Sequence, residues 1–193
     1  MIVANGVPQS GTHALMASLA AEGRKRLPGL FEGRPGRPFY IKPTAADPEP
    51  ASLNDALKAS DDYFIHGHVA CGRGLEKLPC RVVTIRRDPR NVLISYARKS
   101  GRALLEVLRN FYGLPFVRVY RSFLGWPVVV RYEDMGFVEG PNLYEDSPVD
   151  ASTWTGDPSD WRKEWTTDFE VEWRRAKGPK LVADAGYFEM AYA

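Results

Sequence analysis

Short apolar runs alternate along the chain with segments in which hydrophobic residues recur three and four positions apart. Runs rich in β-branched and aromatic residues predict strands. These strands are expected at residues 1–7, 39–41, 63–66, 81–86 and 126–131. Hydrophobic residues at helical spacing predict helices. These helices are expected at residues 11–22, 52–59 and 103–112, and from about residue 159 onward.

Local signals refine two helix starts and mark one irregular segment. Ser52 opens a capping-box sequence, and Asp88 is the predicted N-cap of a further helix that begins at Pro89. Residues 28–50 are rich in Pro and Gly, and we expect them to be irregular apart from the short strand at 39–41.

Strands that alternate with helices predict an α/β protein, in which helices cover both faces of a mainly parallel sheet. A chain of 193 residues is long enough for one sizeable core, so a single domain over residues 1–193 is expected. Ligands of such sheets bind beyond the carboxyl ends of the strands. The loops at residues 6–13, 66–72 and 86–91 follow predicted strand ends and should therefore converge on one site.

The composition is that of an ordinary globular protein and argues against several classes. The net charge is only +2, so a general nucleic-acid binder is not indicated. No apolar run approaches the length of a membrane span and no leader sequence is evident, so we expect a cytoplasmic protein with no membrane partner. Cys71 and Cys80 are too few for a disulfide framework and are expected to be free thiols in a reducing compartment.

Charge is unevenly distributed along the chain. Residues 81–102 hold seven basic residues and one acid, whereas residues 132–161 hold eight acids and no base. Eighteen of the 26 basic residues are arginine, whose forked guanidinium suits phosphate-like anions, although a solubility bias would give the same count. We interpret the basic segment as part of an anion site and the acidic stretch 133–160 as a solvated, mobile lid. Attraction of a cationic acceptor is an alternative role for the acidic stretch.

The first candidate site is GVPQSGTHAL at residues 6–15. Gly6 and Gly11 have the spacing of a phosphate loop between a strand and a helix, where backbone N–H groups bind anions. A nucleotide triphosphatase also needs a lysine and a hydroxyl after the second glycine. Thr12 and His13 stand there instead. A Mg·ATP site is therefore disfavoured, while an anion site and a plain strand-to-helix turn both stay open.

The second candidate site is RRDPRNVLISYARKSG at residues 86–101. A predicted strand ends in two arginines, and a helix that carries Ser95 follows at once. A helix N-terminus beside arginines favours a second anion, although a solvated basic helix face would have the same sequence. Two such sites suit a ligand with two separated anionic groups.

The segments VPQSGTHAL and VVTIRRDPRNVLISY together resemble the sulfotransferase family that uses 3′-phosphoadenosine 5′-phosphosulfate (PAPS). Looser similarity continues through VVVRYEDM, GDPSDWRKEWT and a final Gly-Tyr pair, so the resemblance extends from residue 2 to about residue 187. It implies a P-loop-like, three-layer α/β/α fold and transfer of a sulfuryl group to a hydroxyl or amine of a small-molecule or carbohydrate acceptor. PAPS is then the co-substrate, 3′,5′-ADP (PAP) is the product, and no metal is required.

The resemblance also implies roles for individual residues. Those expected to hold the 5′-phosphosulfate are Pro8, Gln9, Ser10, Gly11, Thr12 and His13. Arg87 and Ser95 match the residues that hold the 3′-phosphate. A second family segment that contacts this group, Arg-Lys-Gly, reads Trp154-Thr155-Gly156 here, so that only Gly156 is kept. Trp154 is interpreted as a stacking partner for adenine or the acceptor. Three further tryptophans are expected in the core, namely Trp161, Trp165 and Trp173.

Two histidines follow the third predicted strand with a period of two, so we expect them to share one face. The family carries a catalytic histidine at the second position, and the resemblance implies that His68 is the general base. His66 falls where some members carry a lysine near the transferred group, so it either helps to stabilise charge or is a structural histidine. A metal site made of His66, His68 and Cys71 is a further reading, but it lacks a convincing fourth ligand.

The sequence departs from the family pattern within the first loop. A lysine or arginine that contacts the bridging oxygen of the leaving group is Gln9 here, and the second threonine of the loop is His13. Loss of a cation at developing negative charge costs on the order of a few kcal/mol, and a protonated His13 is one hypothesis for its replacement. Two alternatives therefore stay open: a non-catalytic PAP- or PAPS-binding module, and a small-molecule kinase of related fold.

Overall fold

The computed structural model describes residues 1–33, 39–72, 74, 77–127, 129–135 and 160–187. Within them six strands form one sheet: β1 (Ile2–Gly6), β2 (Lys25–Gly33), β3 (Tyr40–Lys42), β4 (Tyr63–Val69), β5 (Arg81–Arg86) and β6 (Val129–Arg131). The strand order is β3-β2-β4-β1-β5-β6, and every neighbouring pair is parallel except β2 and β3. This mainly parallel sheet confirms the predicted α/β class.

The described residues also form seven α-helices: α1 (Thr12–Ala21), α2 (Leu53–Lys58), α3 (Pro89–Ser100), α4 (Leu104–Arg109), α5 (Phe116–Arg121), α6 (Thr167–Arg175) and α7 (Gly178–Asp184). Two short 3₁₀ turns accompany them, at Tyr132–Asp134 and Asp160–Glu164. The central strands β1, β4 and β5 all run in one direction. The loops that follow them therefore lie together at the carboxyl ends of the strands.

Helices pack on both sides of the sheet. On one face α1 contacts strand residues that include Ile2 and Phe64. On the other face α2 contacts a set that includes Val3 and Ile65. Successive strand residues therefore serve opposite cores, as the period of two in a strand requires. Helices α3 to α7 enclose a further core around Trp173.

The local capping signals are confirmed. Ser52 Oγ accepts a hydrogen bond from the Asp55 N–H at 3.1 Å, which caps α2. Asp88 Oδ1 accepts from the Arg90 N–H at 2.8 Å, which caps α3 directly after β5. The turn from β5 into α3 therefore has the predicted bounds, because both its strand and its cap are encoded by adjacent residues.

The prediction that residues 28–50 are irregular apart from a strand at 39–41 is wrong for residues 28–33, which belong to β2. This strand extends through Gly33 although it contains Pro28 and Gly29, which favoured a loop in the sequence analysis. Its pairing with β4 shifts register between Arg26 and Leu30, so the proline and the glycine lie in an irregularity. Gly29 adopts a φ of 100°, a conformation that favours glycine. Pairing with β4 thus overrides the local turn signal.

Other expectations concern the tryptophans, the cysteines and the membrane. Trp161 and Trp173 are 3% and 2% exposed, and the Trp165 ring lies 5.1 Å and 5.3 Å from theirs, so the predicted core position is confirmed. Cys71 and Cys80 are free thiols. No helix among the described residues is long and apolar enough to cross a bilayer. The cytoplasmic location stays a prediction.

Candidate anion-binding and catalytic site

The loop between β1 and α1 leaves a helix N-terminus open to an anion. Gly11 is the N-cap of α1 with a φ of 96°, and no side chain caps this helix end. The first N–H groups of α1 therefore lack a capping oxygen, which is the arrangement that binds phosphate-like groups. Gly6 is required by close packing, because a Cβ there would lie 2.5 Å from Ser10 Oγ.

Gln9 and Ser10 form the tip of this loop. Gln9 has a φ of 71°, a left-handed conformation that costs a non-glycine residue about 1–2 kcal/mol. The Ser10 N–H donates to the Val7 carbonyl at 2.9 Å and closes the turn. Ser10 Oγ is buried and has no hydrogen-bond partner within the described ranges. Backbone strain beside an unsatisfied hydroxyl is a combination that functional loops carry.

Arg87, at the start of the β5–α3 turn, brings the two predicted anion motifs together. Its Nη1 donates to the Gln9 carbonyl at 3.4 Å. Its guanidinium also lies 4.6 Å from the centre of the Tyr132 ring. Tyr132 in turn packs on Gly11, where a Cβ would lie only 2.2 Å from the ring. The convergence of the loops at 6–13 and 86–91 is therefore confirmed.

Three side chains hold the backbone around Arg87. The Asp88 N–H donates to Glu133 Oε1 at 3.0 Å. The Tyr187 hydroxyl donates to Glu133 Oε2 at 2.6 Å, and the Tyr120 hydroxyl donates to the Arg87 carbonyl. Elements distant in sequence thus fix the turn that carries the guanidinium. We name this set, Glu133, Tyr187 and Tyr120, the turn clamp.

The three histidines of the chain form one cluster beside the loop. His66 Nε2 lies 3.1 Å from Thr12 Oγ1, which links β4 to the first residue of α1. The ring centres of His66 and His68 are 4.6 Å apart, and those of His13 and His66 are 5.4 Å apart. His66 and His68 share one face of β4 as predicted, whereas the approach of His13 to them was not predicted from the sequence.

One hydrogen bond decides the tautomer of His68. Its Nδ1 lies 2.7 Å from the Gly6 carbonyl, and a carbonyl can only accept, so Nδ1 carries the proton. In the neutral imidazole Nε2 then has the free lone pair. Burial is the largest influence on this group and lowers the pKa of His68 to about 4. At neutral pH the ring is therefore uncharged and can accept a proton at Nε2.

The other two histidines are also neutral. Burial, followed by the positive charge of Lys99, lowers the pKa of His13 to about 4. Burial lowers the pKa of His66 well below its ordinary value. The hypothesis that a protonated His13 replaces the missing loop cation therefore does not hold for the protein alone at neutral pH. A bound anion would have to raise that pKa before His13 could supply charge.

Asn5 is a supporting residue that was not predicted from the sequence. It is fully buried, its Nδ2 donates to the Val69 carbonyl at 2.9 Å, and its Oδ1 accepts from the Val69 N–H at 2.8 Å. This pair of bonds fixes the end of β4 directly after His68. An asparagine inside an otherwise apolar strand was the signal that could have revealed it.

The remaining predicted site residues have different outcomes. Ser95 lies on α3 and is 5% exposed, and its joint action with Arg87 stays a prediction. Trp154 and Gly156 lie outside the described residues. Within the described part of the chain, no group of three or more His, Cys, Asp or Glu side chains could hold a metal. The reading of His66, His68 and Cys71 as metal ligands is therefore not supported.

Comparison with known proteins bears on the fold. No protein-family model and no curated protein matches the sequence. Among solved structures, the crystal structure of mouse sulfotransferase SULT7A1 complexed with PAP is similar, with a TM-score of 0.62 and 13% identity. The match covers 96% of this chain and 86% of that chain. The fold is a sulfotransferase fold. In this sulfotransferase fold, the β1–α1 loop and the β5–α3 turn meet at one edge of the sheet.

Proposed function

We propose that the protein is a PAPS-dependent sulfotransferase that transfers a sulfuryl group to a hydroxyl or amine of a small-molecule or carbohydrate acceptor. One arrangement carries this proposal. Arg87 contacts the Gln9 carbonyl of the β1–α1 loop at 3.4 Å, and the Gly6 carbonyl of the same loop sets the tautomer of His68 at 2.7 Å. The proposed second anion motif and the proposed general base thus both contact this loop.

The residues of the loop suit one anionic group of PAPS. The uncapped N-terminus of α1 supplies backbone N–H groups, and Ser10 contributes a hydroxyl without a partner among the described residues. Pro8, Thr12 and His13 complete this half of the proposed site. Arg87 and Ser95 would hold the 3′-phosphate, and the arginine can form two parallel hydrogen bonds to such a group.

When bound, PAPS would supply the activated sulfuryl group. His68 Nε2 would accept the proton of the acceptor hydroxyl, because Nδ1 is already committed to the Gly6 carbonyl. His66 would keep Thr12 in place through the 3.1 Å contact between Nε2 and Oγ1. These roles need a neutral imidazole at His68, which burial provides.

A non-catalytic PAP-binding module is the second candidate, and Gln9 is the observation that favours it. A glutamine amide can donate a hydrogen bond to the bridging oxygen but brings no charge. With His13 neutral, the loop at 6–13 contains no cation at neutral pH. A small-molecule kinase is disfavoured by the absence of the loop lysine.

Calorimetry with PAP, and separately with ATP and Mg²⁺, distinguishes the nucleotide classes. We expect PAP to bind without metal, and binding to weaken about tenfold or more in Arg87→Lys, because lysine cannot form the planar fork. Arg24→Lys, at an exposed pair with Glu22, is the matched control. Metal-dependent ATP binding without PAP binding would overturn the sulfotransferase proposal.

Transfer of ³⁵S from labelled PAPS distinguishes the enzyme from the module. We expect transfer to one or more acceptors of a panel containing 2-naphthol, tyramine and disaccharides. In His68→Gln we expect the turnover to fall about 100-fold or more while PAP affinity is retained, since a general base is lost. PAP binding with no transfer to any acceptor would favour the module.

A further inference from the structure

The Tyr132 ring contacts both candidate anion motifs. The guanidinium carbon of Arg87 lies over the ring, 4.6 Å from its centre. The ring also lies against Gly11, the N-cap of α1, where a Cβ would be 2.2 Å from ring carbon Cδ2 and 2.6 Å from Cε2. The ring therefore occupies the space that a side chain at position 11 would need, and only glycine leaves that space open.

Tyr132 is held in place by its own surroundings. Its side chain packs against the core cluster that includes Leu15 of α1. It opens the 3₁₀ turn that follows β6, and the next residue of that turn, Glu133, accepts from the Asp88 N–H at 3.0 Å. Two consecutive residues thus hold the β5–α3 turn in different ways. Glu133, as part of the turn clamp, fixes the backbone, whereas the Tyr132 ring contacts the Arg87 guanidinium itself.

This contact is compatible with an anion on the same guanidinium. Arginine uses its flat face on aromatic rings and the N–H donors along its edge on phosphate groups. A long side chain loses conformational freedom when it binds a ligand, and a protein that restricts the side chain beforehand reduces that loss. The Tyr132 ring and the 3.4 Å contact between Arg87 Nη1 and the Gln9 carbonyl both restrict the guanidinium in the protein alone.

We propose that Tyr132 is a positioning residue whose ring holds the Arg87 guanidinium beside the loop at 6–13, so that the protein selects nucleotides with a 3′-phosphate. The ring acts on the group that would bind the 3′-phosphate, whereas the N-terminus of α1 would bind the 5′ group with or without it. The inference rests on the proposed function, which assigns the 3′-phosphate to Arg87. It adds the residue that determines how strongly this phosphate is distinguished.

Calorimetry with PAP and with 5′-AMP, which lacks the 3′-phosphate, tests this selectivity. We expect Tyr132→Leu and Tyr132→Met to weaken PAP binding about tenfold and 5′-AMP binding less than about twofold, because both variants remove the aromatic face. Tyr132→Phe keeps that face and should bind both nucleotides within about twofold of the unaltered protein. Tyr63→Leu, at the amino end of β4, is the matched control for loss of a half-buried tyrosine ring. Thermal melts verify that each variant folds.

A double-mutant cycle distinguishes an action through Arg87 from a direct contact with the nucleotide. In the background of Arg87→Met, Tyr132→Leu should weaken PAP binding by less than about twofold, because the group on which the ring acts is already gone. Losses that multiply in the double variant would overturn the proposal. So would equal losses for PAP and 5′-AMP in Tyr132→Leu, since the ring would then contact the nucleoside.

Turnover of labelled PAPS gives a further readout. Tyr132→Leu should raise the KM for PAPS about tenfold and change kcat less than about twofold, because the 3′-phosphate takes no part in the transfer. A fall in kcat at unchanged KM, or unaltered PAP affinity in Tyr132→Leu, would overturn the positioning role alone. Failure of the unaltered protein to bind PAP would instead overturn the proposed function. The binding experiments need no turnover, so they test the inference in a non-catalytic PAP-binding module as well.

Discussion

At the scale of single residues, the His68 imidazole has its Nδ1 proton committed to Gly6 and its pKa lowered to about 4. A free histidine would lose its capacity as a base below about pH 6.5. The pH dependence of kcat/KM reports the pKa values of groups in the free enzyme. We therefore expect kcat/KM to stay level from about pH 8 down to about pH 5. A pH–rate profile with labelled PAPS measures this. An acid limb centred near pH 6.5 would contradict a buried neutral base.

Gln9 is the residue at which the sequence departs most from the family pattern. Its backbone already adopts the strained φ of 71°, so a lysine there adds no new backbone cost. We expect Gln9→Lys to raise kcat by about tenfold or more, because a cation would then stabilise charge on the leaving group. Gln9→Met, which removes the amide, should lower it. Equal rates in both variants would show that this side chain does not reach the reacting group.

At the scale of elements, the turn clamp ties the β5–α3 turn to a 3₁₀ turn and to the chain after α7. Tyr187 donates to Glu133, and Glu133 accepts from the Asp88 backbone, so both act on the backbone of the turn. We expect Tyr187→Phe and Glu133→Gln each to weaken PAP binding about fivefold, the equivalent of one hydrogen bond of about 1 kcal/mol. Calorimetry provides the readout.

The control for the turn clamp is Tyr63→Phe. This variant removes the hydroxyl of a half-buried tyrosine at the amino end of β4, opposite the strand ends that carry the candidate site. This variant should bind PAP like the unaltered protein. If Tyr187→Phe lowers the melting temperature but leaves PAP affinity unchanged, the clamp stabilises the fold without positioning Arg87.

Elements with local signals could be predicted, and elements that depend on distant pairing could not. The strand Arg81–Arg86 and the cap at Asp88 are encoded by adjacent residues, and the structure reproduces both. β2 contains a Pro-Gly pair that reads as a turn, and only its pairing with β4 makes it a strand. Because β2 was missed, Glu32 and its position beside His68 could not be predicted either.

In the candidate site, too, contacts that follow from strand direction could be predicted, and contacts made by the packing of distant elements could not. The convergence of the loops at 6–13 and 86–91 followed from the direction of parallel strands, and the contact of Arg87 with Gln9 confirms it. The third predicted loop, 66–72, begins inside β4, and His68 contacts Gly6 from that strand. The approach of His13 to His66 could not be predicted, because the two are far apart in sequence and meet only through the packing of α1 on β4. Tertiary packing therefore decides the electrostatics of the cluster, including the neutral state of His13.

At the scale of the whole molecule, the histidine cluster makes stability depend on pH. Burial lowers the pKa of His13 and of His68 to about 4, and lowers that of His66 as well. Unfolded histidines bind protons near pH 6.5. Between about pH 4 and 6.5 the unfolded chain thus binds more protons than the native protein, so lowering the pH through this window destabilises the fold.

The expected slope is large enough to measure. Each histidine that is protonated in the unfolded chain but not in the native protein lowers the free energy of unfolding by about 1.4 kcal/mol for each pH unit inside the window. The free energy of unfolding should therefore fall steeply between about pH 6.5 and 5. Urea denaturation at about pH 7, 6 and 5 measures this. His13→Gln removes one contributor and should flatten the dependence, whereas the carboxylate of Asp47, whose pKa is lowered, acts only at lower pH. An unfolding free energy that is constant from about pH 7 to 5 would mean that the cluster is solvated enough to accept protons, and the same result would undermine the neutral tautomer on which the proposed role of His68 depends.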